Sequence, residues 1–101
     1  MTPHTSTFRI PVTHPALPGH FPGRPVVPGA ITLSEVVAAW RTYAGSSRQV
    51  LGFANVKFLS PLLPEETARI AFIDRGTEVV GFEIAVDARR VATGALRCEH
   101  G

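Results

Sequence analysis

Cysteine is nearly absent: the sequence holds one, Cys98, along with one methionine, one tryptophan and one tyrosine. A lone cysteine excludes an internal disulfide and a cysteine-based zinc site, and Cys98 is expected to serve as a small apolar residue. Charge is sparse as well. Only 18% of residues are charged, against 45% hydrophobic, and mean hydropathy is +0.15, which excludes a disordered chain. No apolar run approaches the roughly 20 residues of a membrane-spanning helix. The first seven residues are polar, without the hydrophobic region of a signal peptide, so a cytoplasmic location is the expectation. There is no internal repeat and no low-complexity tract. P-loop, dinucleotide and G-x-S-x-G fingerprints are all missing. No His/Asp/Glu spacing suggests a metal, and no cofactor is expected.

What is there is mildly basic. Ten cations face eight acids, and the pI is near 9.3. Every cation but Lys57 is arginine, and the arginines are scattered, Arg89-Arg90 being the sole pair. Nucleic-acid binding needs a denser stripe with aromatics interleaved, so no nucleic-acid partner is expected. A modest positive surface suits a small acidic partner equally well.

A chain of 101 residues allows one domain, read here as 1–101. Three regions follow one another. From Phe8 to Gly29, prolines recur every three or four residues, at 11, 15, 18, 22, 25 and 28. Proline fixes φ and donates no hydrogen bond, so this stretch is neither helix nor central strand. Interspersed apolar residues, among them Ile10, Leu17, Phe21 and Val27, make it an ordered loop, preceded by a short strand expected at Phe8–Thr13. Ala30 to Ala44 has no breaker and carries Leu33, Val36, Val37, Trp40 and Ala44 at helical spacing. It is apolar nearly all round, so a helix buried on most sides is expected, ended by Gly45-Ser46-Ser47. From Val50 onward the period is two. Ala54, Val56 and Phe58 lead to a break at Pro61–Pro64. Ala68, Ile70 and Phe72 share one face, as do Val80, Phe82, Ile84 and Val86. A hairpin signal lies at Asp74–Thr77, a second turn at Asp87–Arg90, and a last strand at Val91–Glu99 with Ala92, Leu96 and Cys98 on one side. Strands joined by short turns form an antiparallel sheet, and the helix must lie against it: an α+β domain.

The chemistry concentrates between Pro18 and Glu35. His20 stands in the proline-stiffened loop, and nine residues later Gly29 opens the helix. Free N–H groups at a helix start polarise an oxygen, and glycine lets a ligand reach the backbone. A base held near such a donor is what proton abstraction beside a carbonyl requires. The other histidines are weaker candidates. His4 and His100 are expected at frayed, solvent-exposed ends, and His14 at the end of the first strand, near a pocket mouth. Trp40 and Tyr43 are expected in core or interface.

The run Gly19-His20-Phe21-Pro22-Gly23-Arg24-Pro25-Val26-Val27-Pro28-Gly29 resembles the signature of FabZ/FabA-type 3-hydroxyacyl-[acyl-carrier-protein] dehydratases, G-H-F-P-x-[KR]-P-x-x-P-G followed by a hydrophobic helix. Phe53 to Pro61 is similar to the family's proline-ended strand. The short chain is similar to the divergent members linked to aryl-polyene and specialised lipid synthesis. The resemblance implies a hotdog fold, one long helix wrapped by an antiparallel sheet, and a homodimer with composite sites at its interface. It implies dehydration of a (3R)-3-hydroxyacyl thioester, carried by acyl carrier protein or coenzyme A, without metal or cofactor. By that resemblance His20 removes the proton beside the thioester and the Gly29 N–H polarises its carbonyl. Phe21, Pro28 and Ala30 line the substrate, and Arg24 with Arg41 receives the carrier protein. The family's acid, given by the partner's helix, falls five residues after the helix-start glycine. Here that position is Ser34, and the nearest acid is Glu35. One residue turns a helix by about 100°, so Glu35 is expected to point elsewhere. Three readings therefore stand open: a dehydratase, a hotdog subunit that binds acyl groups or stabilises an active partner, and a hotdog thioesterase.

Overall fold

A computed structural model of the chain describes residues 4–15, 17, 26–45, 49–74 and 78–99. The elements are β1 (His4–Arg9), α1 (Gly29–Ala44), β2 (Val50–Phe58), β3 (Thr67–Ile73), β4 (Val79–Val86) and β5 (Arg89–Cys98). All five strands form one sheet in the order β1-β3-β4-β5-β2, and every pairing is antiparallel. One helix lies across this sheet, which is the hotdog α+β arrangement the resemblance implies.

Period-two patterning decides which face of the sheet is covered. Ala68, Ile70 and Phe72 of β3, Val80 and Ile84 of β4, and Ala92 and Leu96 of β5 are all 0% exposed. Phe82 and Cys98 join them. A register shift between Ile84 and Ala85 breaks the alternation, and the consecutive Val91 and Ala92 are both buried as a result. A second irregularity lies between Ala54 and Lys57, where Asn55 takes a φ of 54°.

The helix presents Thr32, Val36 and Trp40, spaced by four, to the sheet. Trp40 anchors it, its ring tilted against Phe72 at a centroid distance of 5.3 Å. The expectation of a helix buried on most sides is corrected: Ala30, Ser34, Ala38, Arg41 and Thr42 are exposed. One helix on one sheet has a single layer to bury against, so the far side has no cover among the described residues. Gly45, at φ 70°, ends the helix by donating its N–H to Arg41 O at 2.9 Å.

Two further expectations are corrected. The first strand runs over His4–Arg9, not Phe8–Thr13. It pairs residue for residue with β3, from His4 opposite Phe72 to Arg9 opposite Thr67, and ends ahead of Pro11, which lacks the donor a ladder needs. His4 is therefore held within this strand rather than frayed, and its ring stacks on Tyr43 with centroids 4.2 Å apart. His14 lies beyond the strand in a turn, its N–H donating to Pro11 O at 3.0 Å.

Candidate functional site

The helix start is built without a cap. Pro28, at φ −59° and ψ 144°, offers no side-chain acceptor, and the first turn carries no acidic residue. Pro28 O accepts the N–H of Ile31 at 3.0 Å and of Thr32 at 3.2 Å. The Gly29 N–H donates to no described residue, which is the ordinary state of a first-turn amide and leaves it for a ligand.

The segment before the helix is tied to the loop after β2, and that loop to β5. Val27 N–H donates to Leu62 O at 2.8 Å, Leu59 N–H to Val91 O at 2.7 Å, and Ser60 Oγ to Arg90 O at 2.7 Å. These bonds hold open a cavity of about 490 Å³, mostly apolar, with Val27, Gly29, Thr32, Phe58, Leu62 and Val91 among its walls. The Phe58 ring leans over Gly29 so closely that a Cβ there would lie 2.8 Å from its Cζ. Glycine is thus what lets the ring and the helix start meet.

Glu66 fixes the far end of this loop. Burial works to raise its pKa, but the Leu63 N–H at 2.9 Å and the Arg89 guanidinium at 2.6 Å outweigh that and hold the carboxyl below its ordinary value. Arg90 pairs with Glu83 at 3.0 Å, and Arg9 with Glu65. Both residues of the arginine pair are therefore engaged with carboxylates.

The site residues expected from the sequence separate into distinct places. Pro28 and Gly29 line the 490 Å³ cavity. Ala30, Ser34 and Arg41 line a different groove of about 440 Å³ on the open side of the helix, with Leu33, Val37 and Phe53. Ser34 Oγ donates to Ala30 O at 3.0 Å, and Arg41 is exposed, without an ion-pair partner among the described residues. Glu35 faces a third, small cavity of about 140 Å³ beneath β1, beside Thr7, Phe8 and Thr42. The one-residue offset between Ser34 and Glu35 thus sends the carboxylate to another face of the helix. His20, Phe21 and Arg24 lie outside the described residues.

Thr32, Phe58 and Val91 were not singled out from the sequence. Thr32 had a signal, since it follows Gly29 by three residues and so shares its face. Phe58 and Val91 had none, because their place at the cavity depends on the β2–β5 pairing.

The family model described as ApeI-like, ApeI dehydratase, matches residues 2–95. The chain is 31% identical over 68 residues to a 3-hydroxyacyl-[acyl-carrier-protein] dehydratase FabZ from Histophilus somni (strain 2336), covering 59% of this chain and 45% of that protein. The chain spans about half the length of the curated relatives it matches first. The dehydratase heterocomplex ApeI:P from Xenorhabdus doucetiae contains a chain of the same fold, with a TM-score of 0.79 at 22% identity, 97% of this chain and 98% of that one being covered. A probable thioesterase from Bartonella henselae shares the fold too, with a TM-score of 0.72 at 19% identity over 97% of this chain and 89% of that one.

Proposed function

We propose that this chain, which belongs to the ApeI-like dehydratase family, dehydrates a (3R)-3-hydroxyacyl thioester to the trans-2-enoyl thioester in fatty-acid or specialised lipid synthesis. The observation that carries this reading is the uncapped helix start at Gly29, opening on an apolar cavity of about 490 Å³. An acyl chain is apolar and fills such a cavity, while its thioester carbonyl meets the free N–H. His20, nine residues upstream in a loop that matches the FabZ/FabA signature, takes the C2 proton. Negative charge then gathers on the thioester oxygen, where the helix-start amide stabilises it. The C3 hydroxyl departs as water, and needs one proton to do so. With Ser34 in the family's acid position, that proton returns from the His20 imidazolium, directly or relayed through a water held by the Ser34 hydroxyl. No step calls for a metal or a cofactor. The carrier is acyl carrier protein or coenzyme A, and exposed Arg41, with Arg24, is the proposed landing point for an acidic carrier.

Two copies complete the site in this reading, each giving its helix to the other. A second reading is favoured by one observation: among the described residues no carboxylate stands in the Ser34 groove. The chain would then pair with a different hotdog chain that brings the acid. The relative from Xenorhabdus doucetiae is described as a dehydratase heterocomplex, which supports that arrangement.

Replacing His20 with Ala tests the role of the base. Dehydration and hydration are expected to fall together by roughly 10²–10⁴-fold, because both directions use one group. Circular dichroism of the variant should match wild type. Retention of activity by a folded His20→Ala protein would remove His20 from the mechanism.

A further inference from the structure

The reading above assigns the helix start a single donor, the Gly29 amide. We propose that the Thr32 hydroxyl is a second donor, aimed with that amide at one ligand oxygen, the carbonyl of an acyl thioester. This deepens the dehydratase reading and rests on it for the identity of the ligand.

Thr32 is the one buried polar residue of the described chain, 2% exposed, and it lines the apolar cavity. Its hydroxyl makes no hydrogen bond within the described residues. The contrast with its neighbours on the same helix is informative. Ser34 donates to Ala30 O at 3.0 Å and Thr42 to Ala38 O at 3.1 Å, each reaching the carbonyl four residues back. The equivalent carbonyl for Thr32 is Pro28 O, which already accepts two amides, from Ile31 and from Thr32 itself. Among the described residues of the cavity wall the other hydroxyl, Ser60, donates to Arg90 O. The Thr32 oxygen thus opens on the cavity with its hydrogen free to donate, and a ligand that accepts from it gains a hydrogen bond in mostly apolar surroundings.

Geometry directs it to the same oxygen as Gly29. Residues three apart share a helix face, and each side chain tilts toward the N-terminus, so a side chain at 32 leans back over the turn that Gly29 begins. Two donors converging where negative charge develops stabilise the transition state more than the ground state. Thr32 is therefore a residue whose loss appears in kcat rather than in KM.

The test uses Thr32→Val, equal in shape and lacking the hydroxyl, and Thr32→Ser, which keeps it. Two readouts are taken on the full chain. The first is the infrared carbonyl band of hexanoyl-N-acetylcysteamine labelled with ¹³C at C1, which binds without a 3-hydroxyl to lose. The expected result is a band shifted to lower wavenumber on wild type and on Thr32→Ser, and shifted back toward the free position on Thr32→Val. The second is turnover of the 3-hydroxyhexanoyl thioester, with kcat falling by roughly 10²–10³-fold for Thr32→Val and largely restored by Ser. Thr32→Val should be about as resistant to urea as wild type, since the hydroxyl bonds no described residue; a clear loss of stability would mark a structural role and overturn the proposal. Identical bands on wild type and Thr32→Val, or an unshifted band on wild type, would also overturn it. If the bands behave as expected and no enoyl thioester forms, the hydroxyl's role stands and the dehydratase reading fails. If turnover is normal and unchanged in Thr32→Val, the reading stands and the proposal fails.

Discussion

At Gly94 a single hydrogen atom decides how β4 and β5 pack. Gly94 sits directly opposite Phe82, and a Cβ there would lie 2.8 Å from Phe82 Cζ and 3.1 Å from Val56 Cγ2. Phe82 is 4% exposed, so its ring has little room to give way. Gly94→Ala is expected to cost about 1–3 kcal/mol through overpacking, measured as a lower urea midpoint at unchanged slope. Single residues varied in how far the sequence disclosed them. The Ser34/Glu35 offset was legible, because helical rotation alone separates the two, and the structure puts them in different cavities. The grouping of Ala30 with Pro28 and Gly29 was not: adjacent helical residues point about 100° apart, and Ala30 turns into the groove of Ser34 and Arg41 instead. Thr32 went unnoticed because a threonine among apolar residues shows its chemistry only when its usual acceptor is seen to be taken.

Among the elements, β3, β4 and β5 were readable because one covered face imposes strict alternation, and register cannot slip without exposing it. The first strand was misplaced by several residues. Its sequence, HTSTFR, has little apolar signal, and what fixes it is pairing along β3, a contact remote in sequence. The loop between β2 and β3 was legible only as a proline break. In the structure it is the floor of the candidate site, pinned to β5 through Glu66 and Arg89. This gives a prediction about pH. The folded-state pKa of Glu66 is lowered, so the stability it contributes is present above its unfolded value near 4.5 and is lost as pH falls through the lower, folded value. Glu66→Gln should therefore be less stable than wild type at neutral pH, and the difference should shrink as pH falls below about 4.5. Urea denaturation across that range checks it; a difference that grows toward acid would contradict the assignment.

For the whole molecule, the open questions are what covers it and what it turns over. The strand β2 is an edge of the sheet, and Leu51 on it is 64% exposed and Phe58 54%. With the side of α1 that no other described residue covers, this leaves more apolar surface than a small monomer comfortably exposes. Sedimentation equilibrium at micromolar concentration should find a dimer or larger assembly, and a stable monomer would contradict the composite site. The α+β class was legible from the single helix and the run of strands, and the hotdog architecture only through the resemblance of Gly19 to Gly29 to the FabZ/FabA signature; the partner was not, since one chain's sequence does not say whether a copy of itself or a different chain supplies the acid. The most direct test of the proposed chemistry follows a (3R)-3-hydroxyacyl thioester in one cuvette, reading enoyl-thioester absorbance and free thiol together. Wild type is expected to build the enoyl band without releasing thiol, and Ser34→Glu to build it faster. Thiol release without an enoyl band would contradict the dehydratase account and make the chain a thioesterase.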